Sequence, residues 1–514
     1  MTLDSSLKDM QHGIRHAAVY AGATALSKAT GFVMIPVYTR LLDRSEYGLL
    51  ELLTRSAEVA SIILALGISS AVLRFYFDSP RESDRRSVVS SGLLLTLFVG
   101  AGATGVLALF AQQLSVLVLG TPVYERFVLL LLATNLCELA AIVPMVLLRA
   151  RQQSALYSTI TVSRLVLGLG LNIYFVVLLR MGVLGVLYSG LIGSGLMAIV
   201  VVALCFVRVG MRLSLDTLRP MVRYSAPLVP ATLAMFIIHN ADRFFLEHYS
   251  GLDQVGVYAL AYRFGMLLPV LVLEPFGLAF VPLFYSAAQR PDAGALYSRA
   301  LTYLTAVTVW FALGISILGR DLLRFVASPE YIDAYRPLPL VIFAFVFLGM
   351  QAIFELGIHL RKRTVLRLAI VSGTALLTLL LCRVLVPGLG IMGAGLATLV
   401  SFIGMAVLSY SITRRLYPVA YDFRRIGHTL GLAVALLLAS AFFVHGTTTL
   451  AICLRSLMAV SFPALLALSG FLRPDEKALL LGVIRRRRRT RMGVAASARS
   501  GGLSVLRSSG NEPS

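Results

Sequence analysis

The sequence is short of charged residues, and acidic residues are the scarcer kind. Only 14% of its 514 residues are charged, with 25 Asp and Glu against 46 Lys and Arg. Hydrophobic residues make up 58%, and the mean hydropathy is +0.84. A soluble domain typically has about 25% charged and about 45–50% apolar residues. These proportions exclude an ordinary soluble protein and indicate an integral membrane protein.

Cysteines and catalytic motifs are also scarce. The four cysteines, Cys137, Cys205, Cys382 and Cys453, lie in apolar runs, and none belongs to a CxxC pair. This pattern favours neither disulfides nor a metal site. A Walker A loop, a GxSxG sequence and an HExxH sequence are all missing, so the sequence does not indicate direct use of ATP or a familiar hydrolase. We expect no enzymatic activity, no cofactor and no metal.

Long apolar runs dominate the chain instead. Windows of about 20 apolar residues predict an all-α polytopic membrane protein with about fourteen transmembrane helices. The predicted spans are 14–38, 47–72, 88–110, 125–148, 155–179, 184–207, 221–247, 255–285, 297–318, 337–360, 365–386, 391–413, 427–446 and 450–471.

The basic residues predict the orientation. If both termini are cytoplasmic, 32 of the 46 Lys and Arg lie in cytoplasmic segments, seven lie outside and seven lie within spans. This is the positive-inside distribution. The net charge of +21 then reflects topology, and we expect no nucleic-acid partner. The run Arg485 to Arg491 is read as part of a solvated cytoplasmic tail, with contact to anionic lipid head groups as the alternative.

Two sequence segments recur at a common separation of 208 positions. EYGLLELLTR, ending at Arg55, aligns with QVGVYALAYR, ending at Arg263, and RMGVLGV aligns with GLGIMGA. An even repeat unit of six spans predicts two lobes of the same orientation around a central cavity, as in transporters. The predicted division is a cytoplasmic N-terminus (1–13), an N-lobe (14–207), a C-lobe (208–413), two extra C-terminal spans (414–471) and a basic, disordered tail (472–514).

Charged residues inside spans are the candidate functional residues, because charge at membrane depth is costly. Arg55 and Arg263 occupy equivalent places in the repeat, and two guanidiniums that face one another suit a phosphate or diphosphate. We predict that Glu51, one helical turn from Arg55, pairs with it until an anionic substrate arrives. The full predicted site comprises diphosphate-binding Arg55, Arg263, Lys28 and Arg164, and cavity or coupling residues Glu51, Asp242, Arg243, Glu274 and Glu355.

Each of these residues also has a structural interpretation. Arg55 and Arg263 can snorkel to the interface or form local pairs, and the same applies to Lys28 and Arg164. Arg383 and Arg455 lie near span ends, where we expect snorkelling. Prolines in the first, seventh and eighth spans kink helices and are predicted hinges, with static packing as the alternative. The predicted hinge residues are Pro36, Pro227, Pro230, Pro269 and Pro275.

Two stretches carry a family resemblance. IPVYTRLLDRSEYGLLELL, Ile35 to Leu53, and NADRFFLEHYSGLDQVGVYALAYRFG, Asn240 to Gly265, resemble segments of bacterial polysaccharide and O-antigen flippases. These proteins are part of the multidrug/oligosaccharidyl-lipid/polysaccharide exporter superfamily. The motif match carries Arg55, Asp242, Arg243 and Arg263 over as cavity residues, and Lys28 and Arg164 match less closely.

The resemblance implies a function as well as a fold. It implies an inner-membrane flippase that moves undecaprenyl-diphosphate-linked oligosaccharides by alternating access, for O-antigen or exopolysaccharide export. Membrane lipids, a polysaccharide polymerase and export machinery would be partners. The alternatives are a peptidoglycan-precursor flippase, a cation-coupled drug exporter of the same superfamily, and a membrane-embedded polymerase or ligase. The cavity arginines speak against a drug exporter, and the short predicted outer loop 319–336 speaks against a polymerase.

Overall fold

A computed structural model describes residues 31–471, except residues 445 and 447. The first predicted span therefore lies mostly outside the described residues, together with Lys28 and the C-terminal tail. The α-helices are α1 (Ile35–Leu41), α2 (Arg44–Leu64), α3 (Ile68–Asp78), α4 (Glu82–Leu109), α5 (Ala111–Leu119), α6 (Glu125–Ala150), α7 (Ser154–Asn172), α8 (Gly182–Val209), α9 (Leu215–Ser225), α10 (Leu228–Ser250), α11 (Leu252–Gly265), α12 (Glu274–Ala287), α13 (Ala293–Val326), α14 (Leu338–Phe354), α15 (Leu356–Leu360), α16 (Thr364–Leu416), α17 (Phe423–Phe443) and α18 (Thr449–Leu468).

The described part of the chain contains 12 helical stretches that are long and apolar enough to cross a membrane. One of them, Val365–Leu416, has 52 residues, which is about 78 Å of helix against about 30 Å of hydrocarbon. It is interrupted at Gly390, where φ is 52° and ψ is −129°. This interruption separates the two spans predicted at 365–386 and 391–413. The predicted all-α, polytopic, two-lobed fold is confirmed, and the exact lobe boundaries stay predictions.

The second and eighth predicted spans are broken at neighbouring positions of the repeat. Helices α2 and α3 are separated at Ala65–Gly67, where Leu66 and Gly67 have φ of 47° and 63°. Helices α11 and α12 are separated by a π-helical segment, Pro269–Leu273. The first break depends on left-handed backbone and the second on a proline, so the two copies of the repeat bend their helices by different chemistry.

Helices α2 and α11 contact each other backbone to backbone at one end of the molecule. A Cβ atom on Gly48 would overlap the carbonyl oxygen of Leu252, and a Cβ atom on Gly256 would overlap that of Arg44. Arg44 and Leu252 are themselves separated by 208 positions, as are the two glycines. The contact is therefore reciprocal, as expected of two repeats related by a pseudo-twofold axis. We call this end the outer end, following the predicted orientation.

A connecting segment of the C-lobe covers the outer end. The 3₁₀ helix Pro329–Tyr335 follows α13, and its Tyr331 side chain is fully buried. The Tyr331 hydroxyl is 3.0 Å from the carbonyl oxygen of Leu42 and 2.7 Å from that of Asp43, at the start of α2. Tyr331 also packs edge-to-face on Tyr47, at 5.7 Å between ring centroids. The outer end is thus held by glycine contacts and by this tyrosine.

Helices α17 and α18 attach to the C-lobe through an ion pair. Arg455 of α18 is 7% exposed, and its Nη1 is 2.9 Å from Oδ2 of Asp321 in α13. Its Nη2 donates to the carbonyl oxygens of Val444 and Gly446 at 3.0 and 2.9 Å. The prediction that Arg455 snorkels is therefore wrong, because a carboxylate on a neighbouring helix and the end of α17 satisfy it inside the protein. Arg383 instead lies over the ring of Tyr249, at 5.7 Å from the centroid.

Candidate functional site

The charged stripe on α2 faces the boundary between the lobes. The helix begins with Asp43 as N-cap, whose Oδ1 accepts from the Glu46 amide at 2.7 Å, so the start of the helix is fixed. Two turns later, Arg55 Nε lies 2.9 Å from Glu51 Oε1, and Arg55 Nη1 lies 2.8 Å from Glu58 Oε2. The predicted Glu51–Arg55 pair is therefore present, and Arg55 is bound by carboxylates on both sides.

Two arginines of the C-lobe reach the same carboxylate. Arg243 of α10 donates from Nε to Glu51 Oε1 at 2.9 Å, and Arg263 of α11 places Nη2 3.7 Å from Glu51 Oε2. Arg55 and Arg263, the matched pair of the repeat, thus converge on one carboxylate. We call Glu51, Arg55, Arg243 and Arg263 the Glu51 cluster.

The three arginines of this cluster differ in exposure. Arg243 is 1% exposed, whereas Arg55 and Arg263 are 27% and 28% exposed. Arg243 also donates from Nη1 to Asp242 Oδ1 at 2.9 Å and to the His239 carbonyl at 2.9 Å, and it lies 4.1 Å from the Tyr262 ring centroid. Its Nε and Nη1 donors are therefore committed to the protein. Arg55 and Arg263 are the members that can meet a ligand.

Asp242 belongs to the interior of the C-lobe. Its Oδ2 accepts from the Tyr258 hydroxyl at 2.6 Å and from Thr398 Oγ1 at 3.0 Å. The residue is 2% exposed. Sequence reasoning missed Tyr258 and Thr398, because both lie in apolar runs and reach Asp242 only through the packing of α10, α11 and α16. Their hydrogen bonds hold Asp242, which in turn orients Arg243.

Two cavities adjoin the Glu51 cluster. The first, the cluster cavity, has a volume of about 380 Å³ and contains Glu51, Arg55, Arg243 and Arg263 in its wall. The second, the N-lobe cavity, has a volume of about 800 Å³ and is lined mainly by α6 and α7. Arg263 lines both cavities. A ligand with two chemically different parts could therefore place one part in each.

The remaining predicted site residues lie elsewhere. Arg164 is in the N-lobe cavity, where it pairs with Glu138. Glu274 is exposed at the start of α12. Glu355, 6% exposed, lies between α14 and α15, with Oε2 at 3.4 Å from Arg367 and 3.9 Å from His359. Lys28 lies outside the described residues.

The predicted hinge prolines all lie at helix ends or interruptions. Pro36 is in the first turn of α1, and Pro227 caps α10, which has Pro230 in its first turn. Pro269 begins the π-helical segment, and Pro275 follows at the start of α12. These placements fit bending at these points, and hinge motion itself stays a prediction. The Leu66–Gly67 break was not predicted.

The described residues contain no group of three or more His, Cys, Asp or Glu side chains that could hold a metal ion. Chemically, the site is an arrangement of fixed guanidiniums and carboxylates beside two cavities. It can bind an anion and hydrogen-bonding groups.

A comparison with protein families bears directly on this arrangement. A family model described as "Polysaccharide biosynthesis protein" matches residues 14–288, which is more than half of the chain and includes the whole Glu51 cluster. The chain belongs to this family. The resemblance drawn from the α2 and α10–α11 segments is thereby confirmed. No curated protein matches the chain.

Solved structures show which fold this family member has. The chain is similar to a structure described as lipid II flippase MurJ in an inward closed conformation, with 13% identity, a TM-score of 0.71, and coverage of 88% of this chain and 98% of that one. It is also similar to an inward-facing multidrug resistance MATE transporter of the MOP superfamily, with 17% identity, a TM-score of 0.58, and coverage of 79% and 99%.

A third similar structure is a MOP superfamily transporter from Pyrococcus furiosus, whose description reports a binding pocket of reversed polarity. It has 17% identity, a TM-score of 0.56, and coverage of 80% of this chain and 95% of that one. At these identities the three structures establish the fold. This family member is a multi-pass membrane protein with the fold of MOP superfamily transporters.

Proposed function

We propose that the protein flips undecaprenyl-diphosphate-linked oligosaccharides across the bacterial inner membrane, for O-antigen or exopolysaccharide export, with both of its termini in the cytoplasm. The observation that carries this proposal is the convergence of Arg55 and Arg263 on Glu51. Paired guanidiniums present forked donors that match a diphosphate. Both side chains are partly exposed on a cavity, where a ligand can reach them.

The charge balance of the cluster sets how a diphosphate would bind. Arg55, Arg243 and Arg263 are opposed by Glu51, Glu58 and Asp242, so the group is formally neutral. An arriving diphosphate must replace a carboxylate. The Glu58 side chain is 45% exposed and can rotate away from Arg55 toward water. The Glu51 side chain is 3% exposed and is held by Arg243. The diphosphate therefore takes the place of Glu58 on Arg55 and extends to Arg263.

This arrangement solves an energetic problem of transport. A charged head group would have to cross about 30 Å of hydrocarbon, at a cost of several kcal/mol or more for each charge. Arg55 of the N-lobe and Arg263 of the C-lobe each offer the diphosphate a polar contact, so the head group keeps a charged partner while the lobes rearrange. The isoprenoid tail can stay in lipid while the head group moves.

The proposed coupling residues have separate places in this scheme. Asp242 acts through Arg243. Two further candidates for proton or cation coupling are the Glu355–His359 pair and, separately, Glu274. A polymerase and export machinery that receive the glycan are the expected partners.

Reconstitution in liposomes tests the proposal. Each liposome preparation would contain a fluorescent undecaprenyl-diphosphate-linked oligosaccharide and one protein: the parent, Arg55→Ala, Arg263→Ala or the matched control Arg290→Ala. Arg290 is an exposed arginine in the connection between α12 and α13. We expect transport by the two cluster variants to fall at least about tenfold, as loss of a charge-assisted hydrogen bond gives, with the control unchanged. Equal transport by all four proteins would refute the diphosphate assignment.

A peptidoglycan-precursor flippase is the second candidate, favoured by the similarity to the lipid II flippase structure. It uses the same cluster with a different glycan. Transport of a peptidoglycan precursor at the rate of the oligosaccharide substrate, or faster, would favour this candidate.

A further inference from the structure

The N-lobe cavity is larger than the cluster cavity and chemically different from it. Its wall combines two tyrosines, Tyr38 and Tyr157, with hydroxyl, amide and charged side chains of α6 and α7. A volume of about 800 Å³ lies in the range of cavities that hold small molecules, about 300–1,000 Å³. A diphosphate at Arg55 and Arg263 occupies the cluster cavity and leaves this second space to another part of the ligand.

The charged pair in this cavity is only partly covered by the protein. Arg164 pairs with the carboxylate of Glu138, and their side chains are 43% and 45% exposed. Arg164 Nη2 also lies 3.3 Å from Ser194 Oγ. A carboxylate beside a guanidinium offers an acceptor and a fork of donors side by side. Neighbouring hydroxyls of a sugar ring, each both donor and acceptor, are complementary to such a pair.

Hydrogen bonds within the protein fix another part of the cavity wall. The Tyr38 hydroxyl donates to Asn172 Oδ1 at 2.8 Å, and Asn172 Nδ2 donates to Ser189 Oγ and to the Gly168 carbonyl, each at 2.9 Å. Tyr38 is therefore held in place before any ligand binds. Its ring supplies an apolar surface of the kind on which the C–H faces of sugar rings pack.

The repeat shows that this polar wall belongs to one lobe. Gly182 and Gly390, which are 208 positions apart, both have positive φ, at 57° and 52°, so the register of the repeat holds in this part of the two lobes. In that register Arg164 corresponds to Ser372 and Asn172 to Leu380, so the C-lobe repeats neither the guanidinium nor the amide. The two lobes have diverged at these positions, and the N-lobe presents a charged and an amide side chain that the C-lobe lacks. A transporter with one asymmetric site binds its ligand in one orientation.

We propose that the N-lobe cavity binds the glycan of the lipid-linked substrate, with Glu138 and Arg164 hydrogen-bonding the hydroxyls of a sugar ring. Arg263, shared by both cavities, marks the junction between diphosphate and first sugar. This inference rests on the proposed function, and it makes Glu138 and Arg164 residues that select the glycan. Arg55 and Arg263 then bind the diphosphate whatever glycan is attached, and the wall of the N-lobe cavity distinguishes one glycan from another.

Three probes test the glycan site on the purified full-length protein. They are undecaprenyl diphosphate, the same lipid carrying the oligosaccharide, and the free oligosaccharide. The variants are Glu138→Gln, Arg164→Lys, Arg55→Ala and the control Glu125→Gln, an exposed acid of the same helix as Glu138. We expect Glu138→Gln and Arg164→Lys to weaken binding of the glycosylated lipid by about tenfold, the size of one hydrogen bond to a charged group. They should leave binding of undecaprenyl diphosphate unchanged.

The probes separate the two proposals. Equal weakening of both lipids by Glu138→Gln, or no weakening of either, overturns the glycan site. If Arg55→Ala binds undecaprenyl diphosphate as tightly as the parent does, the diphosphate site is overturned instead. Binding of the free oligosaccharide that depends on Glu138 and not on Arg55 supports the glycan site even then. Parent-like thermal unfolding of each variant shows that a loss of binding is local.

Discussion

Arg243 and Glu51 form a buried ion pair across the lobe boundary, with 2.9 Å between Nε and Oε1 and with side chains only 1% and 3% exposed. The two residues lie 192 positions apart. Because Asp242 binds the same guanidinium and Arg55 and Arg263 bind the same carboxylate, this pair is the centre of the charged cluster. The pair fixes the position of Glu51 and leaves Arg55 and Arg263 available to a ligand.

The first prediction concerns the stability of this pair. Replacing Arg243 by Met leaves Asp242 and Glu51 buried beside each other without their common partner. Removing one member of a buried ion pair typically costs about 3–5 kcal/mol. We expect a clearly lower melting temperature for Arg243→Met in detergent and little change for Arg55→Met, since Arg55 is partly exposed. Equal melting temperatures for the two variants would contradict the distinction between an anchoring arginine and a ligand-binding one.

The second prediction concerns the reciprocal glycines. Gly48→Ala and Gly256→Ala each place a methyl group onto a carbonyl oxygen of the other helix, so either variant should separate α2 and α11 at the outer end. By the pseudo-symmetry of the contact, the two effects should be similar in size. The control is Gly277→Ala, where an added Cβ meets nothing within 4 Å.

The measurement is cysteine accessibility. A single cysteine replaces Met235 in the wall of the cluster cavity, and the four native cysteines are changed to serine. We expect both glycine variants to speed its labelling by an impermeant maleimide added from outside. Labelling at the parent rate would show that the glycines do not seal this end.

The third prediction concerns Tyr331. Tyr331→Phe keeps the ring that packs on Tyr47 but removes the hydroxyl next to the Leu42 and Asp43 carbonyls. A typical hydrogen bond contributes about 0.5–1.5 kcal/mol. The variant should therefore raise outside labelling in the same assay by several-fold at most, less than either glycine variant. Tyr335→Phe, in the same 3₁₀ helix, is the control. A larger effect than that of Gly48→Ala would mean that the tyrosine, and not the glycines, holds the outer end.

The fourth prediction concerns the attachment of the last two helices. Asp321→Asn removes the carboxylate that Arg455 binds, and Arg455 is 7% exposed. A loss of about 3–5 kcal/mol is expected from breaking a buried pair. Transport per folded molecule should be retained, because neither residue lines either cavity. Asp292→Asn is the control, in the connection just before the same helix. Lost transport in a protein of normal stability would assign Asp321 a role in transport.

Local and repeated features could be predicted from the sequence, and long-range partners could not. The i, i+4, i+7 spacing revealed the Glu51, Arg55 and Glu58 stripe, and the 208-residue repeat indicated that Arg55 and Arg263 converge. Arg243 was recognised as a cavity residue, but its role as an anchor depends on packing between α2 and α10. From the sequence Arg164 resembles the diphosphate residues, because its charge is visible there and its partner, Glu138 on another helix, is not.

The breaks in the helices illustrate the same limit. Proline favours an interruption, and the breaks at Pro227 and Pro269 carry this signal, although Pro144 and Pro463 lie inside continuous helices. The break at Leu66 and Gly67 has no such signal, since a leucine with φ of 47° is set by the surrounding structure. In the 208-position register of the repeat, Leu66 corresponds to Glu274, which directly follows the π-helical segment of the other lobe.

The outer junction between the lobes is made by main-chain atoms around Gly48 and Gly256, and this has an evolutionary consequence. Such a junction demands only that two residues remain without a side chain, and it carries no information about cargo. Under the function proposed above, substitutions in the cavity walls can change which glycan binds while the main-chain contact between the halves is inherited unchanged.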